Sequence, residues 1–194
     1  MGGAQARLTL ASTSPQRRAI LEQLRIPFEV VAPSYVEQDP PGLEPAELVR
    51  VHADGKARSV HTDGRMTLGV DTTVALDERR YGKPEDLGAA TTMLRDLSGR
   101  THMVVSGLCL LGPKIDVVVH EVTAVTFRPL TAQLMTTYLE SGEWEGRAGA
   151  YAIQGLGGRL VERIEGDYLN VVGLPGALLL SLLELHAPKM LEKA

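Results

Sequence analysis

The sequence predicts a layered mixed α/β (α+β) fold, in which helices flank a central mixed β-sheet. In the first half of the chain, apolar β-branched runs alternate with amphipathic segments, a pattern typical of strands joined by helices. Two long β-branched runs, Thr101–Leu111 and Ile115–Phe127, then follow each other across a Gly-Pro-Lys turn, which indicates an antiparallel pair. With 194 residues, of which 44% are hydrophobic, the chain is long enough for one domain, residues 1–194, with a substantial core.

Composition narrows the classes of function. The net charge of −4 argues against broad nucleic-acid binding, which needs a basic surface. The longest apolar run, Leu174–Leu185, is too short to cross a membrane, and the first residues lack the apolar segment of a signal peptide. The one cysteine, Cys109, lies in an apolar run and is expected to be a reduced core thiol. We therefore expect a cytoplasmic protein that binds neither nucleic acid nor membrane.

The first strand and helix lie in the stretch Leu8–Leu24. The β-branched run breaks at Ser12, and a helix begins at Pro15, where the missing N–H costs nothing, with Ser14 as its N-cap. Two interpretations fit this turn. It is either an ordinary strand-to-helix connection with two solvated arginines, or a phosphate-binding turn in which Arg17 and the hydroxyls join the helix N-terminus.

A second strand, a loop and a second helix follow. Residues Ile26–Val31 are predicted as a strand, and the proline-rich segment Ala32–Glu44 as a loop whose notable charges are Glu37 and Asp39. A helix is predicted from Pro45 to Val60, because its apolar residues recur at helical spacing.

Lys56 lies on the apolar face of this second helix. A lysine there either extends its amine out of the edge of the core or turns it into a polar cavity. The neighbouring Gly55 weakens the helix by about 1 kcal/mol relative to alanine. A glycine at this position indicates that another group approaches the helix backbone closely.

Asp71 interrupts the strongest strand of the sequence, Thr67–Leu76. Aspartate is a poor strand residue, so it marks either a sheet end or bulge, or a carboxylate presented from a rigid strand. Because Thr72 extends the polar patch and no turn residue stands beside it, we favour the second interpretation.

Residues after this strand alternate between turns, helices and strands. Asp77–Arg80 is predicted as a charged turn, Asp86–Leu97 as a helix, and Thr131 as the cap of a further helix. Lys83 lies between glycine and proline in a loop that is fixed at one end. The glycine-rich segment Glu143–Gly158 allows close approach of a ligand to the backbone.

The last third is predicted to form a hairpin and a terminal helix. Leu160–Ile164 and Tyr168–Val172 have the composition of paired strands, turning at Glu165-Gly166-Asp167. A helix then extends from Pro175 through Leu185, and the tail from Ala187 is expected to fray.

Hydroxyls, cations and carboxylates make up the remaining chemistry. The five histidines show no zinc-site spacing, and no nucleophile motif is present. Arg17, Lys56 and Lys83 with Glu37 and Asp71 fit metal-assisted chemistry on a phosphate ester or anhydride, since cations neutralise phosphate oxygens while carboxylates hold Mg²⁺ or orient a water. Composition alone does not determine which bond is broken.

Six motifs occur in the order seen in the Maf family of nucleoside triphosphate pyrophosphatases, and the resemblance covers about residues 8–183. The motifs are Ser12-x-Ser14-Pro15-x-Arg17, Gly69-x-Asp71-Thr72, Gly82-Lys83-Pro84, Leu97-Ser98-Gly99-x-x-His102, Ala148-Gly149-Ala150-Tyr151-x-Ile153-Gln154-Gly155 and Val172-Gly173-Leu174-Pro175.

The resemblance implies a two-lobed fold with a cleft, similar to inosine triphosphate pyrophosphatases, and a homodimer. It implies hydrolysis of nucleoside triphosphates to monophosphate and pyrophosphate with Mg²⁺ or Mn²⁺. Asp71 resembles the proton acceptor of the family, Glu37 the acidic partner with which it would hold the metal, and Lys83 a further group at the reacting phosphates. The other residues that resemble the phosphate-binding set are Ser12, Ser14, Arg17 and Lys56.

Three positions bear on the nucleotide base: Gln16, Thr72 and Gln154. The last two resemble the branch of the family that prefers dTTP and UTP, and a glutamine amide can pair with the edge of uracil or thymine. Gln16 departs from the arginine usual in that branch, so 7-methylguanosine triphosphate or another modified nucleotide is the alternative substrate. An alternative outside enzyme function is a nucleotide-sensing regulator of cell division and septum formation.

Overall fold

A computed structural model describes residues 7–40 and 42–192 of the chain. Seven strands in these residues form one mixed sheet. The order is β2-β1-β3-β5-β6-β7, with β4 paired to β3. β1 is parallel to both β2 and β3, whereas β4 and β7 are antiparallel to their neighbours. The strands are β1 (Leu8–Ala11), β2 (Phe28–Val31), β3 (Met66–Leu76), β4 (Arg79–Tyr81), β5 (Thr101–Gly112), β6 (Ile115–Phe127) and β7 (Val161–Glu165).

Helices connect the strands, as the alternating pattern predicts. Three short 3₁₀ turns, Ala148–Ala150, Leu156–Arg159 and Pro188–Met190, complete the described secondary structure. The predicted mixed α/β class is confirmed. The helices are α1 (Pro15–Gln23), α2 (Pro45–Arg58), α3 (Leu87–Leu97), α4 (Ala132–Glu140), α5 (Tyr168–Val172) and α6 (Gly176–His186).

The chain divides into two compact units. Unit 1 takes the described residues up to Asp71, then Ser106–Glu121 and the residues from Gly173 onward. Unit 2 takes Thr72–Val105 and Val122–Val172. Asp71 is therefore the last residue that β3 contributes to unit 1.

In unit 1, α2 packs directly on the backbone of two strands. A Cβ atom added at Gly69 of β3 would overlap the carbonyl oxygen of Ala53, and one added at Gly107 of β5 would overlap that of Val49. Both helix residues are completely buried. The absence of side chains on the strands thus sets how closely α2 approaches the sheet. Cys109 is a free, buried thiol beneath this helix, as predicted.

In unit 2, an aromatic and aliphatic core joins α3 and α4 to the strands. The fully buried side chains include Leu94 and Leu97 from α3 and Phe127 from the end of β6, with Tyr138 of α4 2% exposed. The amphipathic pattern of α3 agrees with this packing, and the Asp86 carboxylate accepts from the N–H of Ala89 as the N-cap of that helix.

One predicted strand is wrong. Residues Tyr168–Val172 form helix α5 and do not pair with β7. The Asp167 carboxylate accepts a hydrogen bond from the N–H of Leu169 at 2.8 Å, and the buried Asn170 amide donates to the carbonyl of Val104 and to Thr123 Oγ1. These polar contacts outweigh the strand propensity of the tyrosine and valines.

Two smaller predictions are also corrected. The charged turn at 77–80 is shorter than predicted, because Arg79 and Arg80 belong to β4 and pair with Leu76 and Ala75 of β3. The tail beyond Ala187 does not fray at once, since Pro188–Met190 forms a 3₁₀ turn that buries Met190. None of the helices in residues 7–40 and 42–192 has the length and apolar character that crossing a membrane requires.

Candidate active site

Hydrogen bonds in and near the turn between β1 and α1 fix the side chain of Arg17. Ser14 caps α1, accepting from the N–H of Arg17, and the Arg17 guanidinium donates to Ser12 Oγ at 3.2 Å. Its Nε donates to the carbonyl of Gly173 at 3.0 Å. Arg17 is therefore fixed by two parts of unit 1, while the next residue, Arg18, is exposed. The interpretation as an ordinary turn with two solvated arginines is wrong for Arg17.

Electrostatics tie this arginine to two carboxylates. Burial lowers the pKa of the Arg17 guanidinium, and the negative charges of Asp71 and Glu37 oppose that shift. Arginine remains charged in proteins even when its pKa falls, so Arg17 places a permanent cation at the N-terminus of α1. Gln16, beside it, accepts a hydrogen bond from the Ser14 hydroxyl at 3.1 Å.

Lys56 lies between two carboxylates of unit 1. Its Nζ is 2.6 Å from Asp71 Oδ1 and 2.7 Å from Glu37 Oε1. The lysine and aspartate side chains are 10% and 12% exposed, whereas that of Glu37 is 51% exposed. The amine thus turns inward and does not extend to solvent. We call Glu37, Lys56 and Asp71 the carboxylate–lysine cluster.

Regular secondary structure positions two members of this cluster. Asp71 is the central residue of the 11-residue strand β3, so its carboxylate is presented from a rigid strand. Lys56 projects from the apolar face of α2, which the strand glycines hold close. Glu37 comes from the irregular segment between β2 and α2. Of the ten predicted site residues, seven lie in unit 1: Ser12, Ser14, Gln16, Arg17, Glu37, Lys56 and Asp71.

Metal-ligating side chains are sparse around the cluster. Within the part of the chain that the structure describes, no group of three or more histidine, cysteine, aspartate or glutamate side chains is close enough to hold a metal ion. The cluster offers two carboxylates.

The remaining predicted site residues, Thr72, Lys83 and Gln154, belong to unit 2. The Gly149 N–H donates to the carbonyl of Gly82 at 3.1 Å, which fastens the loop of Lys83 to the glycine-rich segment of Gln154. Gln154 is exposed.

A buried histidine supports this glycine-rich segment. The Tyr151 hydroxyl lies 2.9 Å from Nε2 of His102, and both rings pack edge-on against Phe127. The Tyr138 hydroxyl accepts from the N–H of Ala152 at 3.0 Å. Two side-chain anchors therefore hold the backbone just before Gln154.

His102 is expected to make the protein less stable in mild acid. Burial lowers its pKa to about 4, below the value near 6.5 of the unfolded chain. The unfolded state then binds more protons between these values, so stability is complete above about pH 6.5 and is lost as the pH falls toward 4. We expect the free energy of unfolding to fall by about 2 kcal/mol through this one group between about pH 7 and pH 4.5.

Urea unfolding at the two pH values tests this expectation. His102→Gln removes the titrating group and is expected to flatten the difference, whereas His120→Gln, at an exposed histidine, is expected to keep it. Equal pH dependence in His102→Gln and the unaltered protein would show that another group is responsible.

Sequence reasoning missed two contributors to this arrangement. The carbonyl of Gly173, which binds Arg17, lies 156 positions along the chain from it. Its motif is visible in the sequence, but a backbone acceptor carries no residue-type signal. His102 likewise stands in a quoted motif, and only the structure shows that it supports Tyr151.

Comparison with known proteins identifies relatives over nearly the whole chain. The family model described as Maf-like protein matches residues 7–186. A dTTP/UTP pyrophosphatase from Nitratidesulfovibrio vulgaris is 47% identical over 178 residues, covering 90% of this chain and 85% of that protein. One from Symbiobacterium thermophilum is 46% identical over 170 residues, covering 87% and 88%. One from Deinococcus radiodurans is 44% identical over 180 residues, covering 91% of both.

The fold also has a solved neighbour. A structure of a HAM1 protein from Coxiella burnetii matches with a TM-score of 0.50 and 14% identity, covering 94% of this chain and 100% of that one. At this identity the likeness concerns the fold alone. The family model and the sequence relatives go further and confirm the relationship that the six motifs predict: the chain belongs to the Maf family.

Proposed function

We propose that the chain is a nucleoside triphosphate pyrophosphatase that hydrolyses dTTP and UTP between the α and β phosphates. The products are the nucleoside monophosphate and pyrophosphate, and the reaction removes nucleotides from the pool. Family membership and relatives named dTTP/UTP pyrophosphatase support the pyrophosphatase reaction.

The observation that carries the proposal is the carboxylate–lysine cluster beside Arg17. Two carboxylates meet one buried amine at 2.6 and 2.7 Å, and a guanidinium within their electrostatic influence stands at a helix N-terminus. Cations next to carboxylates are what hydrolysis of a phosphoanhydride needs, because the substrate is polyanionic and its attacking water must lose a proton.

The donor set of this cluster fits a divalent cation. Carboxylate oxygens are the ligands that Mg²⁺ and Mn²⁺ prefer, and Mg²⁺ is usually held by one or two carboxylates together with substrate phosphates. We propose that Glu37 and Asp71 hold Mg²⁺ or Mn²⁺. The bound ion would neutralise the charge of the phosphates.

The side chains of unit 1 then have distinct roles. Ser12, Ser14 and Arg17, at the N-terminus of α1, bind phosphate oxygens. Asp71 accepts a proton from the water whose oxygen attacks phosphorus, while the anhydride bond breaks and pyrophosphate leaves. Lys56 orients the Asp71 carboxylate and adds positive charge. In unit 2, the roles of Lys83, Thr72 and Gln154 stay predictions, as does the homodimer.

A substrate panel with product identification tests the proposal. We expect the purified protein with Mg²⁺ or Mn²⁺ to convert dTTP to dTMP and UTP to UMP, with one pyrophosphate per turnover, and EDTA to abolish both reactions. Orthophosphate as the sole inorganic product would contradict cleavage between the α and β phosphates.

The same panel tests the base preference. Faster turnover of 7-methylguanosine triphosphate than of dTTP would overturn the pyrimidine assignment and leave the reaction class in place. Gln16→Arg is the informative variant, because Gln16 bonds the N-cap Ser14 and departs from the pyrimidine-branch pattern. We expect it to raise the preference for dTTP.

A further inference from the structure

The segment that carries Glu37 has no regular secondary structure. We call residues 34–39 the acidic loop; they lie between β2 and α2, and most of them are exposed. The Glu37 side chain is itself half-exposed, yet its carboxylate reaches Lys56 Nζ at 2.7 Å. An exposed loop holds such a position only when other contacts restrict it, because ordering its backbone costs about 1–2 kcal/mol per residue in entropy.

A buried histidine of α2 binds the acidic loop at two points. The Tyr35 hydroxyl lies 3.0 Å from Nδ1 of His52, and Nε2 of the same ring lies 3.0 Å from Asp39 Oδ1. A carboxylate can only accept, so Nε2 carries the hydrogen toward Asp39. In the neutral ring Nδ1 is then an acceptor, and the Tyr35 hydroxyl donates to it. One tautomer therefore satisfies both contacts.

The ring of His52 is 1% exposed, so water does not compete for its nitrogens.

The positions of these residues in the chain explain why the two contacts restrict where the Glu37 carboxylate lies. Tyr35 stands two residues before Glu37 and Asp39 two residues after it, so the anchors flank the carboxylate evenly. His52 precedes Lys56 by four residues, which places both on one face of α2. The loop is thus attached to the helix at three successive points.

Gly55 makes room for the first anchor. A Cβ atom at this position would overlap the Tyr35 ring, so the ring packs directly on the helix backbone. This is the close approach that the sequence indicates at Gly55.

We infer that Tyr35, His52 and Asp39 are positioning residues that fasten the acidic loop to α2 and hold the Glu37 carboxylate at Lys56 and Asp71. The catalytic importance of Glu37 in this inference rests on the proposed function. The attachment of the acidic loop to α2 does not depend on that function and can be tested without an activity assay.

Hydrogen exchange of the metal-free protein tests the fastening. Tyr35→Phe removes one hydroxyl and keeps the ring over Gly55, and His52→Leu removes both anchors. The matched control is Tyr168→Phe, at a half-exposed tyrosine of α5. We expect faster amide exchange at residues 34–39 in both variants, more so in His52→Leu, with unchanged exchange in β3. Exchange at 34–39 equal to that of the control would overturn the inference, and Tyr35→Phe decides this even if His52→Leu fails to fold.

A double-mutant cycle tests the consequence for activity. With dTTP, we expect Tyr35→Phe to lower kcat/KM by about 10-fold and His52→Leu by up to about 100-fold, the losses typical of a misplaced catalytic group. Tyr168→Phe should retain full activity. In a Glu37→Gln background the same changes should cost little more, because their effect acts through Glu37.

Fully additive losses in that background would overturn the positioning role. An unaltered protein that leaves dTTP and UTP intact would refute the proposed function instead, and the exchange measurement would still decide whether the loop is fastened.

Discussion

Asp71→Asn is expected to lower kcat for dTTP by about 10²–10⁴-fold, the range typical of losing a general base. The amide keeps the shape of the side chain and an oxygen that can accept a hydrogen bond from Lys56. In the unaltered protein, Lys56 Nζ lies 2.6 Å from Asp71 Oδ1. The substitution removes the negative charge that would take a proton from water and help to hold the metal. Single-turnover and steady-state rates at saturating Mg²⁺ measure the loss.

The same variant is expected to keep its fold. Lys56 retains the Glu37 carboxylate at 2.7 Å, so its charge is not left uncompensated. The free energy of unfolding should therefore fall by less than the roughly 3–5 kcal/mol typical of a buried ion pair that loses one partner. Asp63→Asn, in an exposed turn, is the matched control and should change neither rate nor stability. Turnover by Asp71→Asn within about 10-fold of the unaltered protein would remove Asp71 from the proton-accepting role, because general-base catalysis contributes more than that.

The sequence predicts those site residues best whose positions follow from regular secondary structure. Asp71 is unusual because a carboxylate inside a strongly apolar strand needs a reason, and the structure shows it in a continuous β3. Lys56 is unusual for the same reason on a helix, and periodicity alone places it on the buried face. What periodicity leaves open is the direction of its amine, which depends on a partner 15 residues away.

The sequence predicts irregular segments less well, because polar contacts between residues far apart in the chain determine their conformation. The α5 segment has strand composition, yet Asn170 and Asp167 bind Thr123, over 40 residues earlier, and the chain turns into a helix. The acidic loop is similar. Pro33 and Pro40 flank this segment and predict a loop, but nothing local indicates that Tyr35 and Asp39 meet on one histidine. The one local signal is Gly55. It predicts that another group packs closely against the backbone of α2, but it does not identify that group.

Gly69→Ala is expected to destabilise unit 1 strongly. A Cβ at this position would overlap the Ala53 carbonyl and lie 2.8 Å from Cβ of Ala57. Neither is the far end of a flexible side chain, so α2 itself must move. Overpacking of this kind costs about 1–3 kcal/mol or more, and a rigid backbone contact belongs at the upper end. Urea unfolding of the variant beside Gly82→Ala, where an added Cβ meets nothing within 4 Å, isolates the packing effect.

Activity should fall in Gly69→Ala by more than its unfolded fraction explains. Gly69 and Asp71 are two residues apart on β3, so they face the same side of the strand, toward α2. The space left empty at Gly69 lets the helix approach closely enough for Lys56 Nζ to reach Asp71 at 2.6 Å. A helix displaced outward by the methyl group separates this pair while both residues remain present. Full kcat per folded molecule, measured well below the melting temperature, would mean that the carboxylate–lysine cluster tolerates the displacement and that the glycine serves packing alone.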